Sequence, residues 1–165
     1  MSKIIILRGN SGSGKSTIAK KLQEKLGRGT LLISQDSIRR EFLHVYGGAD
    51  QTSINLLEHL VVFGNQNCKF TILEGILYAD DHDYLFKQIE KIFKQNIFAY
   101  YFELPFEETL KRHMGKPNCN DFGESEMKRW WREKDYISCI DEEKIYKELN
   151  ISEIVDKIYN DIKII

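Results

Sequence analysis

The stretch KIIILRGNSGSGKSTIAKKL, residues 3–22, runs β-branched residues straight into a glycine-rich turn and then into helical spacing. Ile4, Ile5, Ile6 and Leu7 leave no polar face, so residues 3–8 read as a strand buried on both sides. Such a strand has to be covered by helices above and below, which excludes a sheet with one wet face. Residues 16–26 place Ile18, Ala19 and Leu22 at helical intervals, and Gly27 stops that helix.

The rest of the chain repeats the alternation. Further strands are expected at 30–34, at 70–73 running out at Glu74-Gly75, at 97–104 and at 144–149. Helices are expected from a cap at Asp36 to about residue 46, and after a cap at Thr52 or Ser53. Others follow at 83–95, at 106–114, from 124 to about 134, and after a cap at Ser152, with a loop over 115–121. Strands alternating with helices imply a parallel sheet with right-handed crossovers, whose ligands bind outside the carboxyl ends of the strands. The expected architecture is α/β in three layers: a five-stranded parallel sheet flanked by helices. Residues 1–165 are expected to form one domain, with a small lid around 112–134.

Cys68, Cys119 and Cys139 lack metal-ligand spacing and read as reduced thiols in a cytoplasmic protein. No apolar run approaches membrane-spanning length. A net charge of -1 argues against a general nucleic-acid-binding surface and leaves nucleic acid only as a short acceptor end.

Gly9-Asn10-Ser11-Gly12-Ser13-Gly14-Lys15-Ser16 fits GxxxxGK[ST], with a strand before it and a helix after it. Glycines let consecutive N–H groups turn inward around a polyphosphate, and the following helix aims its positive end at the same anion. In such a loop Lys15 reaches the β- and γ-phosphates and the Ser16 hydroxyl ligates Mg²⁺, with Thr17 beside it. The implied ligands are ATP and Mg²⁺, since the guanine-reading NKxD is missing from the chain.

Phosphoryl transfer needs a carboxylate near the γ-phosphate, and Asp36 in SQDSIRR stands in that place, with a plain helix cap as the competing role. Arg39 lies one turn on and either grips an anionic group of the acceptor or forms a surface pair, while Arg40 reads as solvated. Glu74 closes the third strand and either holds the metal or meets solvent; Gly75 would admit a substrate close to the backbone. Arg112 and Lys116 read as lid cations over the donor, with Arg112 alternatively flat on the nucleobase. His113 reads as a surface histidine, and His44, His59 and His82 have no constellation around them. Of Trp130 and Trp131, one reads as core and the other as cover for a ring-bearing substrate.

Together these residues resemble the small P-loop kinases of the nucleoside-monophosphate-kinase-like group. The nearest likenesses are 5′-hydroxyl polynucleotide kinase domains, chloramphenicol phosphotransferases and zeta-toxin-like kinases. GNSGSGKST matches their phosphate loop, SQDSIRR is similar to the D-x-x-R after their second strand, and YFELPFEETLKRH to the approach to their lid. The resemblance implies Asp36 as general base, Arg39 as ligand to a substrate phosphate, and Arg112 with Lys116 as lid contacts to the nucleotide. Lysine at 116 replaces the usual arginine, and Glu74-Gly75 replaces an aspartate-containing strand end. The expectation is a kinase moving the γ-phosphoryl of ATP to a hydroxyl on a small molecule, a nucleoside or nucleotide, or a polynucleotide end. The alternative is an ATP-binding regulator with slow hydrolysis only.

Overall fold

Ile4, Ile5, Ile6 and Leu7 are all fully buried, and the remaining elements arrange themselves around that strand. The computed structural model describes residues 1–46, 50–115 and 122–164. In chain order the elements are β1 (Lys3–Arg8), α1 (Lys15–Leu26), β2 (Leu31–Ser34), α2 (Gln35–Ser37) with a π-helical turn Ile38–Phe42, α3 (Gln51–Asn67) and β3 (Phe70–Gly75). They continue as α4 (Asp83–Phe93), β4 (Ile97–Phe102), α5 (Phe106–Met114), α6 (Glu124–Trp130), β5 (Glu142–Ile145) and α7 (Ile151–Ile164).

The strands form one parallel five-stranded sheet in the order β2-β3-β1-β4-β5. The period-2 alternation sorts its side chains onto two faces. Ile4, Ile6, Ile33 and Leu73 pack with Leu57 and Val61 of α3 and with Phe86, Ile89 and Phe93 of α4. Ile5, Leu7, Ile72 and Phe98 pack on the other face with Ile18 and Leu22 of α1 and Ile154 and Ile158 of α7. All five strands point the same way, so their carboxyl ends form one rim, and the loops after β1, β2, β3 and β4 meet there.

Several boundaries differ from the expected ones, each for a local reason. The second helix starts at Gln35, so Asp36 lies within its first turn and does not cap it, and beyond Ser37 it widens into the π-helical turn, which ends at Phe42. Asp50 caps α3 by accepting from Ser53 N–H at 2.7 Å, in place of Thr52 or Ser53. Asn150 caps α7 in place of Ser152: its side chain accepts from Glu153 N–H at 3.0 Å while Glu153 accepts the Asn150 N–H at 2.8 Å. β5 begins at Glu142, ahead of the expected 144, because Glu142 is a buried carboxylate paired inside the protein.

The α3 helix packs against β3 at Gly64, where a methyl group would run into the Thr71 side chain, itself fully buried. Gly64→Ala should therefore destabilise the protein by about 1–3 kcal/mol in urea denaturation. The Thr71 hydroxyl has no hydrogen-bond partner among the described residues, so adding Thr71→Ala to that variant should recover part of the loss.

Candidate active site

The chain leaves β1 after Arg8 and reaches α1 through residues 9–14, which pack under the rim of β4 and α5. Gly9 has φ +138, and a Cβ there would lie 2.9 Å from the Phe102 carbonyl oxygen. At Gly12 a methyl would run into the Thr109 carbonyl oxygen of α5. Both positions need glycine for space as much as for torsion. Lys15 is buried and folds back over the loop, donating from Nζ to the Asn10 carbonyl and the Ser13 hydroxyl at 2.8 Å each. An ammonium drawn into loop oxygens beside a helix N-terminus is placed where an anion's oxygens can replace them.

Ser16 and Thr17 are exposed on the first turn of α1. The parallel register sets Glu74 opposite Leu7 on one side and Ser34 on the other. Ser34 Oγ donates to Glu74 Oε1 at 2.5 Å and Ser16 Oγ to Oε2 at 3.1 Å. Glu74 is only 3 % exposed, so it is not a strand-end carboxylate meeting solvent. A hydroxyl and a carboxylate are hard oxygen donors of the kind Mg²⁺ takes alongside phosphate oxygens. The described residues contain no group of three or more His, Cys, Asp or Glu side chains able to hold a metal by themselves. Ser16 and Glu74 thus fit an ion that arrives with a nucleotide.

Asp36 stands at the carboxyl end of β2 with its side chain 69 % exposed. Its ion-pair partner is Arg40 at 2.8 Å, which corrects the reading of Arg40 as merely solvated. The i,i+4 spacing places both side chains on one helical face. An exposed pair of this kind contributes less than about 1 kcal/mol, so little holds Asp36 in place. Arg39 is half-buried and close enough to Tyr78 and His82 for its charge to act on both.

Gly75 does not open a path to the backbone. Gln35 covers it, with Oε1 at 2.5 Å from where a Cβ would stand. The same Oε1 accepts Leu77 N–H at 3.1 Å, which turns the Gln35 amide nitrogen toward His82 Nε2 at 3.2 Å. His82 Nδ1 lies 3.0 Å from the Tyr78 carbonyl. One ring nitrogen must donate and the other accept, so the network holds a neutral imidazole. His82 is buried, and that burial pushes its pKa below 6.5. It therefore has a constellation, which its position in the sequence did not reveal.

Arg112, on the last turns of α5, donates to Glu108 at 2.7 Å and to the Ser13 carbonyl at 3.3 Å. It borders a groove of about 1110 Å³ that also takes in Thr17, Lys21, Leu149, Ile151 and Ser152. Lys116 lies outside the described residues. His113 is not on the surface: it is 2 % exposed, stacked on Phe122 at 4.2 Å and bonded to the Phe122 carbonyl at 2.8 Å. Neither tryptophan is core. Trp130 is half-buried against Phe122, and Trp131 against Phe106, at the wall of a cleft of about 500 Å³ that includes Tyr146 and Lys134.

Residues 4–96 match the protein family described as AAA domain, which is more than half of the chain. The chain belongs to the AAA domain family. Among solved structures it is similar to Mycobacterium tuberculosis APS kinase CysC in complex with AMPPNP and APS, with TM-score 0.70, 18% identity and 96% of each chain covered. It is also similar to a gluconokinase from Sinorhizobium meliloti 1021, with TM-score 0.65, 10% identity, and 98% of this chain and 91% of that one covered. A tunicamycin resistance protein from Deinococcus radiodurans gives TM-score 0.65 and 16% identity over 98% of this chain and 96% of that one. The fold is that of the small P-loop kinases, in agreement with the resemblance in the sequence. No curated protein matches the chain.

The AAA-domain match holds the loop, Asp36 and Glu74 but stops before β4. It also leaves out Arg132, Asp135 and Glu142, which complete a cluster that the sequence did not disclose. Arg8 is fully buried and pairs with Asp135 at 2.7 Å and Glu142 at 3.0 Å. It also donates to the Leu77 carbonyl at 2.8 and 3.1 Å. Burial raises the Glu142 pKa while Arg8 pulls it back. The only sequence signal was a charged residue continuing an apolar strand. Arg132 is stacked over the Tyr78 ring at 3.9 Å and paired with Asp80 at 3.3 Å.

His82 yields a pH test. Its folded pKa lies below the unfolded 6.5, so its stability contribution is complete above that pH and is lost as pH falls through the folded value. The melting temperature should drop on acidification through that window, and His82→Gln should reduce the drop.

Proposed function

We propose that the protein is an ATP-dependent phosphotransferase that moves the γ-phosphoryl group of ATP·Mg²⁺ to a hydroxyl of a small molecule, a nucleoside or nucleotide, or a polynucleotide end. The observation that carries this reading is the grouping on one rim of the inward-folded Lys15, the Ser16–Glu74 pair and the exposed carboxylate of Asp36. A nucleotide-binding loop alone would not need the third of these.

In this reading the loop amides and Lys15 bind the triphosphate, with Lys15 exchanging the Asn10 and Ser13 oxygens for β- and γ-phosphate oxygens. Ser16 and Glu74 hold Mg²⁺, which when bound neutralises phosphate charge. Asp36 accepts the acceptor's hydroxyl proton as the bond from the γ-phosphorus to that oxygen forms and the bond to the β-phosphate oxygen breaks, leaving ADP. Arg39 holds an anionic group of the acceptor. Arg112 lines the groove beside α1, where the nucleobase fits, and Lys116 keeps the lid role that the resemblance implies. A single body over residues 1–165 with its lid around 112–134 and a cytoplasmic setting belong to the same reading.

Incubation with γ-labelled ATP and panels of nucleosides, 5′-hydroxyl oligonucleotides, sugars and aminoglycosides should label one class of acceptor. Asp36→Asn should lower transfer by about 10²–10⁴-fold while leaving ATP affinity intact. Lys15→Met should lose the affinity itself. ATP consumed by water alone, with Asp36→Asn indifferent, would count for the ATP-binding regulator.

A further inference from the structure

Residues 131–137 belong to no helix or strand, yet several of the rim elements hold them. At the start of this strap the Tyr78 hydroxyl donates to the Trp130 carbonyl at 2.5 Å. In the middle Asn10 makes two bonds to one residue: Nδ2 donates to the Arg132 carbonyl at 2.7 Å, and Oδ1 accepts the Arg132 N–H at 3.0 Å. Further on, Asp135 Oδ2 accepts from Arg8 at 2.7 Å and from Ala79 N–H at 3.0 Å. Glu142 accepts the Ile137 N–H at 2.7 Å.

We propose that Asn10 is a positioning residue whose carboxamide locks the phosphate loop to this strap, so that nucleotide affinity depends in part on the hydrogen bond Tyr78 makes at the strap's start. The proposal rests on the nucleotide-binding reading of the loop. A primary amide presents a donor and an acceptor on separate atoms side by side, which is what a backbone N–H and C=O of one residue require; a carboxylate has no donor, and a hydroxyl offers both functions from a single oxygen. Asn10 is 7 % exposed, so the bonds are made away from water, where leaving them unmade is costly. Its own carbonyl receives the Lys15 ammonium at 2.8 Å. One residue thus links the strap, through its side chain, to the phosphate-seeking lysine, through its backbone. A glycine-rich loop has much freedom to lose on binding an anion, and a clamp that removes this freedom beforehand strengthens binding. Tyr78 reinforces the clamp twice, through its hydroxyl to Trp130 and through its ring beneath the Arg132 guanidinium.

The test is a double-mutant cycle on the full chain, read by binding of the fluorescent nucleotide mant-ATP with Mg²⁺ and by melting temperature. Asn10→Ala should weaken binding about tenfold and Tyr78→Phe about threefold. The double variant should bind no worse than Asn10→Ala alone, because both changes break one connection. Wild-type affinity in Asn10→Ala, or single effects that simply multiply, overturns the proposal. A lower melting temperature with unchanged affinity also overturns it, since that is the signature of a purely structural clamp. If Asn10→Ala does not fold, Tyr78→Phe decides alone: weaker binding at an unchanged melting temperature supports the coupling, and unchanged binding rejects it. A wild-type protein that binds no mant-ATP would overturn the loop reading itself, and the proposal with it.

Discussion

A guanidinium with no exposure to water, at the carboxyl end of the central strand, ties the rim together. Arg8 lies between the rings of Phe86 and Tyr101, each 5.4 Å from the guanidinium carbon, with Asp135 and Glu142 as counter-ions. A buried cation costs several kcal/mol unless it is both paired and hydrogen-bonded. Its partners come from the β3–α4 loop, from the 131–137 strap and from β5, so these must be in place before the charge can be buried. Segments far apart in the chain are thereby forced to assemble together, directly beneath the glycine loop.

The rim so assembled has two sides. Toward β4 and β5 lie Arg112, the groove beside α1 and the start of α7. Toward β2 lie Asp36, Arg39 and the locked Gln35–His82 pair. Glu74 sits between them, because the register of β3 carries it to the mouth of the loop. The division into two flanks follows from strand order: the central strand carries the loop, and the strands on either side of it carry different neighbours.

Much of this was legible in the sequence where local rules decide. β1 and α5 fall where apolar period and punctuation put them, and the glycine loop follows from spacing and context. Other features were illegible because distant residues set them. β5 opens on a glutamate that looks like loop until Arg8 is seen beside it. α6 stops at Trp130, short of 134, where the chain is taken up by the Asn10 clamp. Histidines at 82 and 113 carry no local mark of burial. At Asp36 the local spacing left both the i,i+3 and the i,i+4 arginine open as partners, and the structure takes Arg40. The glycine-loop half of the candidate site was thus easier to read than the half around Asp36 and His82, where residues distant in sequence meet.

An open sheet has two flanks, and an unpaired strand can recruit another chain. β5 ends the sheet on one side with only four residues, Glu142–Ile145. Its first residue turns a carboxylate inward to Arg8, and its next two present a glutamate and a lysine. A foreign strand docking there would meet charge on a template too short to hold it, so the ion pair that anchors the interior also guards the outer margin against fibril-like growth.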